Sequence, residues 1–421
     1  MKWLIITVGW SSQPIVTSIK TWHPDRVAFV CSDNSNENKS SCRQIMGEGL
    51  VCSSKDDGKE QNLPNIPTQA GLNEEQYKDY LITVPADDIE SAYDRIVKRI
   101  ADIRAEDKNA TITADYTGGT KSMSIALAMA AIDDGNIIDI KFVTGPRQDL
   151  PKVTLGESLR PAKVTGIRIR HISKEINLLM KELQYAAAAN LLAEFIAEID
   201  VDSSWQKAVN CLQAFDAWNR FDYQYALELF RAVGGEKNEK FLKVLGCLAS
   251  SDRPAWESRS GYLLARDLLS NAARQAAQCR YEDAAARHYR AVELVAQTQL
   301  FMRHKITTAS VMYDQIPSDI FWKPEIDNGP LEIGLFRAWE LAAALDSKVG
   351  DLFNEWRARL KEAIKIRNMS LCAHGTAVIT RSDYDNDSSN GMRAFASAAI
   401  KLLDSGGPKI PEFPRNLEAL T

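Results

Sequence analysis

Two patterns of apolar residues divide the chain. In the first third, short apolar runs alternate with helical stretches. Trp3-Leu4-Ile5-Ile6-Thr7-Val8 and Val27-Ala28-Phe29-Val30-Cys31 have scarcely a polar break, and a helix through Ile15, Ile19 and Trp22 fits between them. Thr111-Ile112-Thr113-Ala114 is a short β-prone run; Ile125–Ala131 reads as a buried helix and Ile138–Val143 as another strand. Strands apolar on both faces and alternating with helices predict a parallel sheet covered on both sides. Ile89, Ala92, Ile96 and Ile100 predict an amphipathic helix over Ile89–Ala105. Asn34–Asn65 is dominated by Asn, Ser, Lys, Gly and Asp and predicts a long, partly mobile segment. Pro151–Val164, with Pro151, Gly156 and Pro161, predicts a connection between domains, through a hairpin.

From about Ile167 the pattern turns helical, as in Ile176–Met180 and Ala186–Ile199. The expected fold class is α/β plus all-α: a Rossmann-like N-terminal domain with a parallel sheet, then a C-terminal helical domain. The expected divisions are 1–165, a helical connecting region 166–260, and 261–421. Arg-aromatic-acid opens a helix twice, at Arg220-Phe221-Asp222 and Arg280-Tyr281-Glu282, with the acids expected to be solvated or capping. Two copies do not make a solenoid.

Ligands of open parallel sheets sit beyond the carboxyl ends of the strands. Four polar strand ends are candidates: Gly9, Ser11, Ser12 and Gln13; Ser32 and Asp33; Thr117, Gly118, Gly119, Thr120 and Lys121; and Thr144 with Gly145, Pro146 and Arg147. The third is the richest. Asp115–Ser124 is a strand-to-helix turn with two adjacent glycines, several hydroxyls and Lys121 at a helix start, a setting suited to phosphate oxygens or a nucleotide edge. Lys121-Ser122 match the end of a P-loop, but Thr120 stands where its second glycine belongs, which argues against an NTPase.

A second chemical stretch lies near the C-terminus. Phe353, Trp356, Leu360 and Ile364 form a core-facing stripe over Asp351–Arg367, and Arg367-Asn368-Met369-Ser370-Leu371-Cys372-Ala373-His374-Gly375 follows. If the helix runs on, Gly375 is its C-cap, and Arg367 and His374 share a face ~10 Å apart along the axis. Arginine grips phosphate bidentately, and histidine moves protons near neutral pH. Arg287, Arg290 and the run Arg303-His304-Lys305 are candidates for an RNA groove, against the commoner reading of a solvated helix face.

Composition changes this picture little. With 421 residues, 45% hydrophobic and 25% charged, the chain has material for two or three ordinary globular domains. A net charge of −5 argues against a generally basic nucleic-acid coat, though not against a local groove. The seven cysteines form no C-x-x-C pair, as expected of reduced thiols in a cytoplasm. No signal peptide is read at the start, and no apolar run approaches the ~20 residues of a membrane helix.

Taken together, T-V-G-W-S-S-Q-P, F-V-C-S, D-Y-T-G-G-T-K-S-M and R-N-M-S-L-C-A-H resemble the CRISPR-associated CARF–HEPN ribonucleases, ancillary nucleases of type III systems. The resemblance spans nearly the whole chain except the helices at about 165–260, and the spacer of the last motif is long for the family. It implies a CARF domain followed by a HEPN domain. It also implies a homodimer binding a cyclic oligoadenylate activator (tetra- or hexa-adenylate) and a metal-free site cleaving single-stranded RNA. By the same resemblance Arg367, Asn368 and His374 are the catalytic set. The activator residues are Gly9, Ser11, Ser12, Gln13, Thr117, Gly118, Gly119, Thr120 and Lys121, with Ser32 and Thr144 as weaker assignments. Three other readings stand beside it: a sensor that regulates a partner, a nucleotide hydrolase, and a domain that cleaves its own ring activator.

Overall fold

In the computed structural model the structure describes residues 1–33, 40–56, 59–134, 138–144, 158–162, 164–198, 202–249, 253–324 and 329–420. The chain divides into two compact units, 1–172 and 173–421.

The first unit contains β1 (Lys2–Thr7), α1 (Ser12–Trp22), β2 (Arg26–Ser32), α2 (Arg43–Met46), β3 (Cys52–Asp56), β4 (Lys59–Leu63) and α3 (Ile66–Ala70). β5 (Ile82–Val84), α4 (Ile89–Glu106), β6 (Thr111–Asp115), α5 (Lys121–Asp133), β7 (Asp139–Thr144) and β8 (Ser158–Pro161) follow. The main sheet has the order β5-β2-β1-β6-β7-β8. Its first five strands run parallel, with Ile5 opposite Ala28 on one side and Ala114 on the other. β8 pairs antiparallel with β7.

Alternation along β1 splits the two faces of the sheet. Trp3 and Ile5 pack with Ile96 and Ile100 of α4 and with Met123 and Leu127 of α5. Leu4 and Ile6 pack with Ile15 and Ile19 of α1, and with Ile45 and Ile66. Trp3, Leu4, Ile5 and Ile6 are all fully buried. Each such side chain contributes roughly 1.5–3 kcal/mol by leaving water. Because the central strands are parallel, the ends of β1, β2, β6 and β7 share one edge.

Within Asn34–Asn65, read from its composition as partly mobile, the described residues carry regular elements. Residues 34–39 lie outside the described residues, as do Gly145, Pro146 and Arg147. After them come α2, the antiparallel hairpin β3–β4 and α3. Ile45, Cys52 and Ile66 dock this segment on the α1 face. Widely spaced anchors in polar sequence leave no periodic signal. Of the connection expected across Pro151–Val164, residues 151–157 and 163 lie outside the described residues; β8 within it pairs antiparallel with β7.

Helices then follow: α6 (Thr165–Lys181), α7 (Tyr185–Glu198), α8 (Ser203–Asn219), α9 (Tyr223–Val233), α10 (Glu239–Ala249) and α11 (Ser260–Ala277). α12 (Tyr281–His304), α13 (Leu335–Leu345), α14 (Ser347–Asn368), α15 (Arg381–Asn390) and α16 (Met392–Leu403) complete the chain. α11, α12, α13, α14 and α16 enclose one core around Leu294, Val295, Trp339, Phe353, Leu360 and Phe395. Trp339 is fully buried and donates its Nε1–H to the Val292 carbonyl at 3.1 Å, so its polar atom is satisfied. A second aromatic cluster joins Tyr185, Phe215, Trp218, Phe230, Phe241 and Phe413. The two echoing acids differ. Asp222 caps α9 by accepting from Tyr225 N–H at 3.2 Å, whereas Glu282 Oε1 accepts from Ile379 N–H at 2.8 Å across the helical unit.

Candidate functional site

Two places carry the expected residues, one in each unit. On the α/β edge, β6 ends in the buried carboxylate of Asp115. It accepts from Ser18 Oγ at 2.5 Å and from Thr117 N–H at 2.8 Å. The Thr117 hydroxyl also donates to it and accepts from Val143 N–H at 2.7 Å. Burial raises the Asp115 pKa, and its Ser18 and Thr117 partners oppose that rise. Thr117 thus ties the turn after β6 to β7, and its hydroxyl is committed to the scaffold.

The glycines have a structural role as well. Gly119 has φ +79°, the left-handed region where a side chain strains the backbone. A Cβ on Gly118 would lie 2.4 Å from Thr7 O, and one on Gly9 would lie 2.6 Å from Gly119 N. The loops after β1 and β6 therefore pack backbone to backbone. Gln44 Nε2 holds the first of them by donating to Gly9 O at 2.8 Å. Thr120 caps α5, accepting from Met123 N–H at 3.2 Å, and donates to Ala86 O.

What the edge offers to a ligand is narrower than the sequence suggests. Ser11, Gln13 and Lys121 are exposed. Lys121 has no ion-pair partner among the described residues and opens α5, where backbone N–H groups and the helix dipole favour anions. Ser12 is buried, with its hydroxyl beside the Cys52 thiol, and so turns away from the edge. Ser32 is buried in a net with Ser40 and Ser41: Ser40 Oγ donates to its carbonyl at 2.6 Å, and Ser41 N–H donates to its hydroxyl at 3.0 Å. Thr144 ends β7, opposite Ser158 of β8. Composition gives no sign of Trp10, which is 75% exposed between Gly9 and Ser11 and sets an aromatic face beside the loop.

The second place is the end of α14. Asp346 starts the helix by accepting from Lys348 N–H at 3.0 Å and Val349 N–H at 3.4 Å. Phe353 and Leu360 are buried, and Trp356 and Ile364 pack against the same core, so the expected stripe faces inward. The helix does not run on to Gly375, however. It ends at Asn368, and the next residues fold back over its last carbonyls. His374 N–H donates to Asn368 O at 3.1 Å, Ala377 N–H to Met369 O at 3.0 Å, and Leu371 N–H to Ala377 O at 2.8 Å. Gly375 is therefore not a helix cap. A Cβ there would lie 2.0 Å from Met369 O, so the returning loop requires glycine on grounds of space. The axial spacing of ~10 Å that an unbroken helix would give Arg367 and His374 does not apply.

Arg367 is half-buried. Its guanidinium lies 4.3 Å from the Tyr289 ring centre and donates to Asn368 Oδ1 at 3.2 Å. Tyr289 steers the guanidinium through its ring face, an attraction of about 0.5–2 kcal/mol. Burial, first, and Glu293, second, raise the Tyr289 pKa, which keeps the phenol neutral beside the cation. Tyr289 sits on α12, far away in sequence, and nothing in the local pattern pointed to it. His374 is exposed at the tip of the returning loop. Leu371 and Val378 beside it are 63% and 69% exposed, an apolar rim around a polar pair.

On α12, Arg287 and Arg290 are engaged in ion pairs and hydrogen bonds within the unit, whereas Arg303 and the following Lys305 are exposed. Arg287 donates to Asn271 Oδ1 at 2.6 Å and Arg290 to Gln297 Oε1 at 3.0 Å. Lys305 closes the helix in the left-handed region at φ 58°. Among the described residues no group of three or more His, Cys, Asp or Glu could hold a metal ion, and no helix is long and apolar enough to cross a membrane.

Comparison with known proteins finds matches to a family model and to solved structures. Residues 253–394 match the family model of the Csm6 HEPN domain, a span that contains Arg367, Asn368 and His374. The fold is similar to that of Enterococcus italicus Csm6 bound to cyclic hexa-2'-fluoro-hexa-dAMP. That match has TM-score 0.64 and 13% identity over 98% of this chain and 96% of that one. No curated protein sequence matches the chain.

Proposed function

We propose that this chain, which has the Csm6 fold and a Csm6-type HEPN domain, is a CARF–HEPN ancillary nuclease of type III CRISPR antiviral defence. In this reading residues 1–165 sense cyclic oligoadenylate, residues 166–260 connect, and residues 261–421 cleave single-stranded RNA without a metal. The carrying observation is the Arg367–His374 loop, built on a helix end inside the matched HEPN segment.

The chemistry follows from the groups present. A ribose 2′-OH attacks the adjacent phosphorus and the 5′-oxygen of the next nucleotide leaves. The Arg367 guanidinium, oriented by Tyr289 and Asn368, stabilises the additional negative charge on the phosphoryl oxygens. His374 transfers a proton, either from the attacking hydroxyl or to the leaving oxygen. One chain offers one histidine. A homodimer presents two, so that base and acid come from different copies, and its two-fold symmetry suits a cyclic ligand. The product carries a 2′,3′-cyclic phosphate, which makes RNA and not DNA the substrate.

On the α/β edge, exposed Ser11, Gln13 and Lys121 and the start of α5 suit the ring phosphates, and Trp10 offers a stacking face for adenine. A cyclic hexa-adenylate is supported by the ligand of the similar structure, and the tetra-adenylate remains in the test. The protein works in the cytoplasm, where a CRISPR effector and its RNA meet. The deciding experiment incubates it with labelled RNA, EDTA and each of the cyclic tri-, tetra- and hexa-adenylates. Cleavage with one ring and a 2′,3′-cyclic phosphate product is expected. No cleavage with any ring, while one of them binds, would leave a sensor that regulates a partner.

A further inference from the structure

Beside Arg367 lies a cavity of about 180 Å³ between α14 and α15. A cavity of about 150 Å³ holds a benzene ring, so this one has room for one planar heterocycle. Its α14 wall carries Arg359, Ala363, Ile366 and Arg367, which repeat at helical spacing along one face. The opposite wall comes from α15, where Asp383, Asn386 and Asn390 also fall on one face. The α14 wall thus offers two guanidiniums beside the Glu362 carboxylate, and the α15 wall carboxylate and amide oxygens.

The α15 wall is firmly fixed. Fully buried His288 holds Asp387 Oδ2 through Nδ1 at 2.6 Å, and Asp387 Oδ1 accepts from Met392 N–H at 2.6 Å. The His288 ring also stacks on Tyr384, with centres 5.5 Å apart, and Tyr384 lines the cavity. Asp387 is therefore fully engaged in positioning. The Asn386 side-chain amide, by contrast, makes no hydrogen bond among the described residues. Asp383 receives the Thr380 N–H and hydroxyl on a single oxygen, Oδ2, leaving Oδ1 with lone pairs to spare.

We propose that this cavity is a base-reading subsite: it takes one unpaired nucleobase next to the phosphate held by Arg367 and favours bases bearing an exocyclic amino group over uracil. The inference rests on Arg367 being the phosphate-holding residue. Carboxylate and amide oxygens accept from the amino groups of adenine, cytosine or guanine, while an asparagine amide also donates to the ring nitrogen beside the amine. Uracil has no amino group to give the free Asp383 Oδ1, which as a carboxylate oxygen only accepts, so a uracil carbonyl there faces an acceptor. An acceptor left without a partner once the base covers it makes such a site reject the wrong base.

The test uses uridine oligonucleotides carrying a single A, C, G or U at one position, cut by the activated full-length protein. Wild type should cut next to the amino-bearing base at least about tenfold faster, by kcat/KM, than in the all-uridine strand. In Asp383→Asn, which can donate to uracil, and in Asn386→Ala, which loses an acceptor for the amino group, that ratio should fall towards one. An unchanged ratio in both variants, or a wild-type preference for uridine, would overturn the inference and leave the nuclease reading standing. If wild type cuts no RNA with any ring, the nuclease reading fails instead. The cavity is then judged by anisotropy of the same labelled strands on the His374→Ala protein, where equal affinity for adenine-bearing and all-uridine strands refutes the base subsite.

Discussion

In the proposed mechanism Arg367 and His374 act by different means, yet the loss of either should cost activity. Arg367→Ala removes a donor aimed at developing charge, and His374→Ala removes a proton carrier. Each should lower RNA cleavage about 100-fold or more while leaving circular dichroism and activator binding as in wild type. Arg367→Lys should recover little, since lysine keeps the charge but not the planar fork that lies over Tyr289. Near-normal cleavage by either alanine variant would remove it from the mechanism. At this scale the sequence was informative about residue types and poor on partners. Arg367, Asn368 and His374 stand close together in the chain. Tyr289 reaches the site only because α12 and α14 pack in one core. Likewise Thr117 and Thr120 read as ligand hydroxyls, whereas their hydrogen bonds hold β7 and α5 in place.

For the elements, the lesson is where a helix stops. The stripe on α14 and the glycine at 375 are what a continuous helix with a C-cap would show. Hydrogen bonds within the loop itself, from Leu371, His374 and Ala377, decide otherwise, and helical periodicity does not encode them. Gly375→Ala tests the geometry. Its Cβ has no room against Met369 O, so the loop must move and carry His374 with it. Cleavage should fall at least about tenfold with helix content unchanged; a fully active Gly375→Ala protein would show that the loop's position is unimportant. α15 allows a pH test. Thr380 donates its N–H and hydroxyl to Asp383 at 2.9 and 2.6 Å, which holds that carboxyl below its ordinary pKa. A depressed folded pKa gives stability that is complete above the ordinary carboxylate range and is lost as pH falls through the depressed value. Hydrogen-exchange protection of α15 should therefore drop between roughly pH 5 and pH 2 in wild type and drop less in Asp383→Asn. At neutral pH the variant should stay within about 1 kcal/mol of wild type, since the asparagine oxygen still accepts from Thr380. Equal pH dependence in the two proteins would contradict this.

On the scale of the molecule, the parallel sheet was legible because strands buried on both faces leave uninterrupted apolar runs. The hairpin β3–β4 was not, because its described apolar anchors, among them Cys52 and Leu63, stand isolated in polar sequence. The aromatic cluster around Phe215 was also hidden, since Phe413 comes to it from the chain's far end. Activation is likewise a property of the whole. A ligand activates only by binding one state better than another. Lys121 is exposed at the α/β edge and remote in sequence from Arg367. Lys121→Ala should raise the activator concentration for half-maximal cleavage about tenfold, with the plateau nearly unchanged. A lowered plateau at an unchanged half-maximal concentration would mean that Lys121 does not touch the ring.

The contact between Gly9 and the Gly118-Gly119 turn has a consequence for anyone recombining such α/β domains. Two loops that share a surface with no space for a methyl group make a single unit of inheritance. Transplanting the first loop from a relative, to change which ring is accepted, imports a shape fitted to that relative's own third loop. Chimeras should work when both loops, together with the Gln44 that clamps the first, travel as a cassette, and fail when they travel singly.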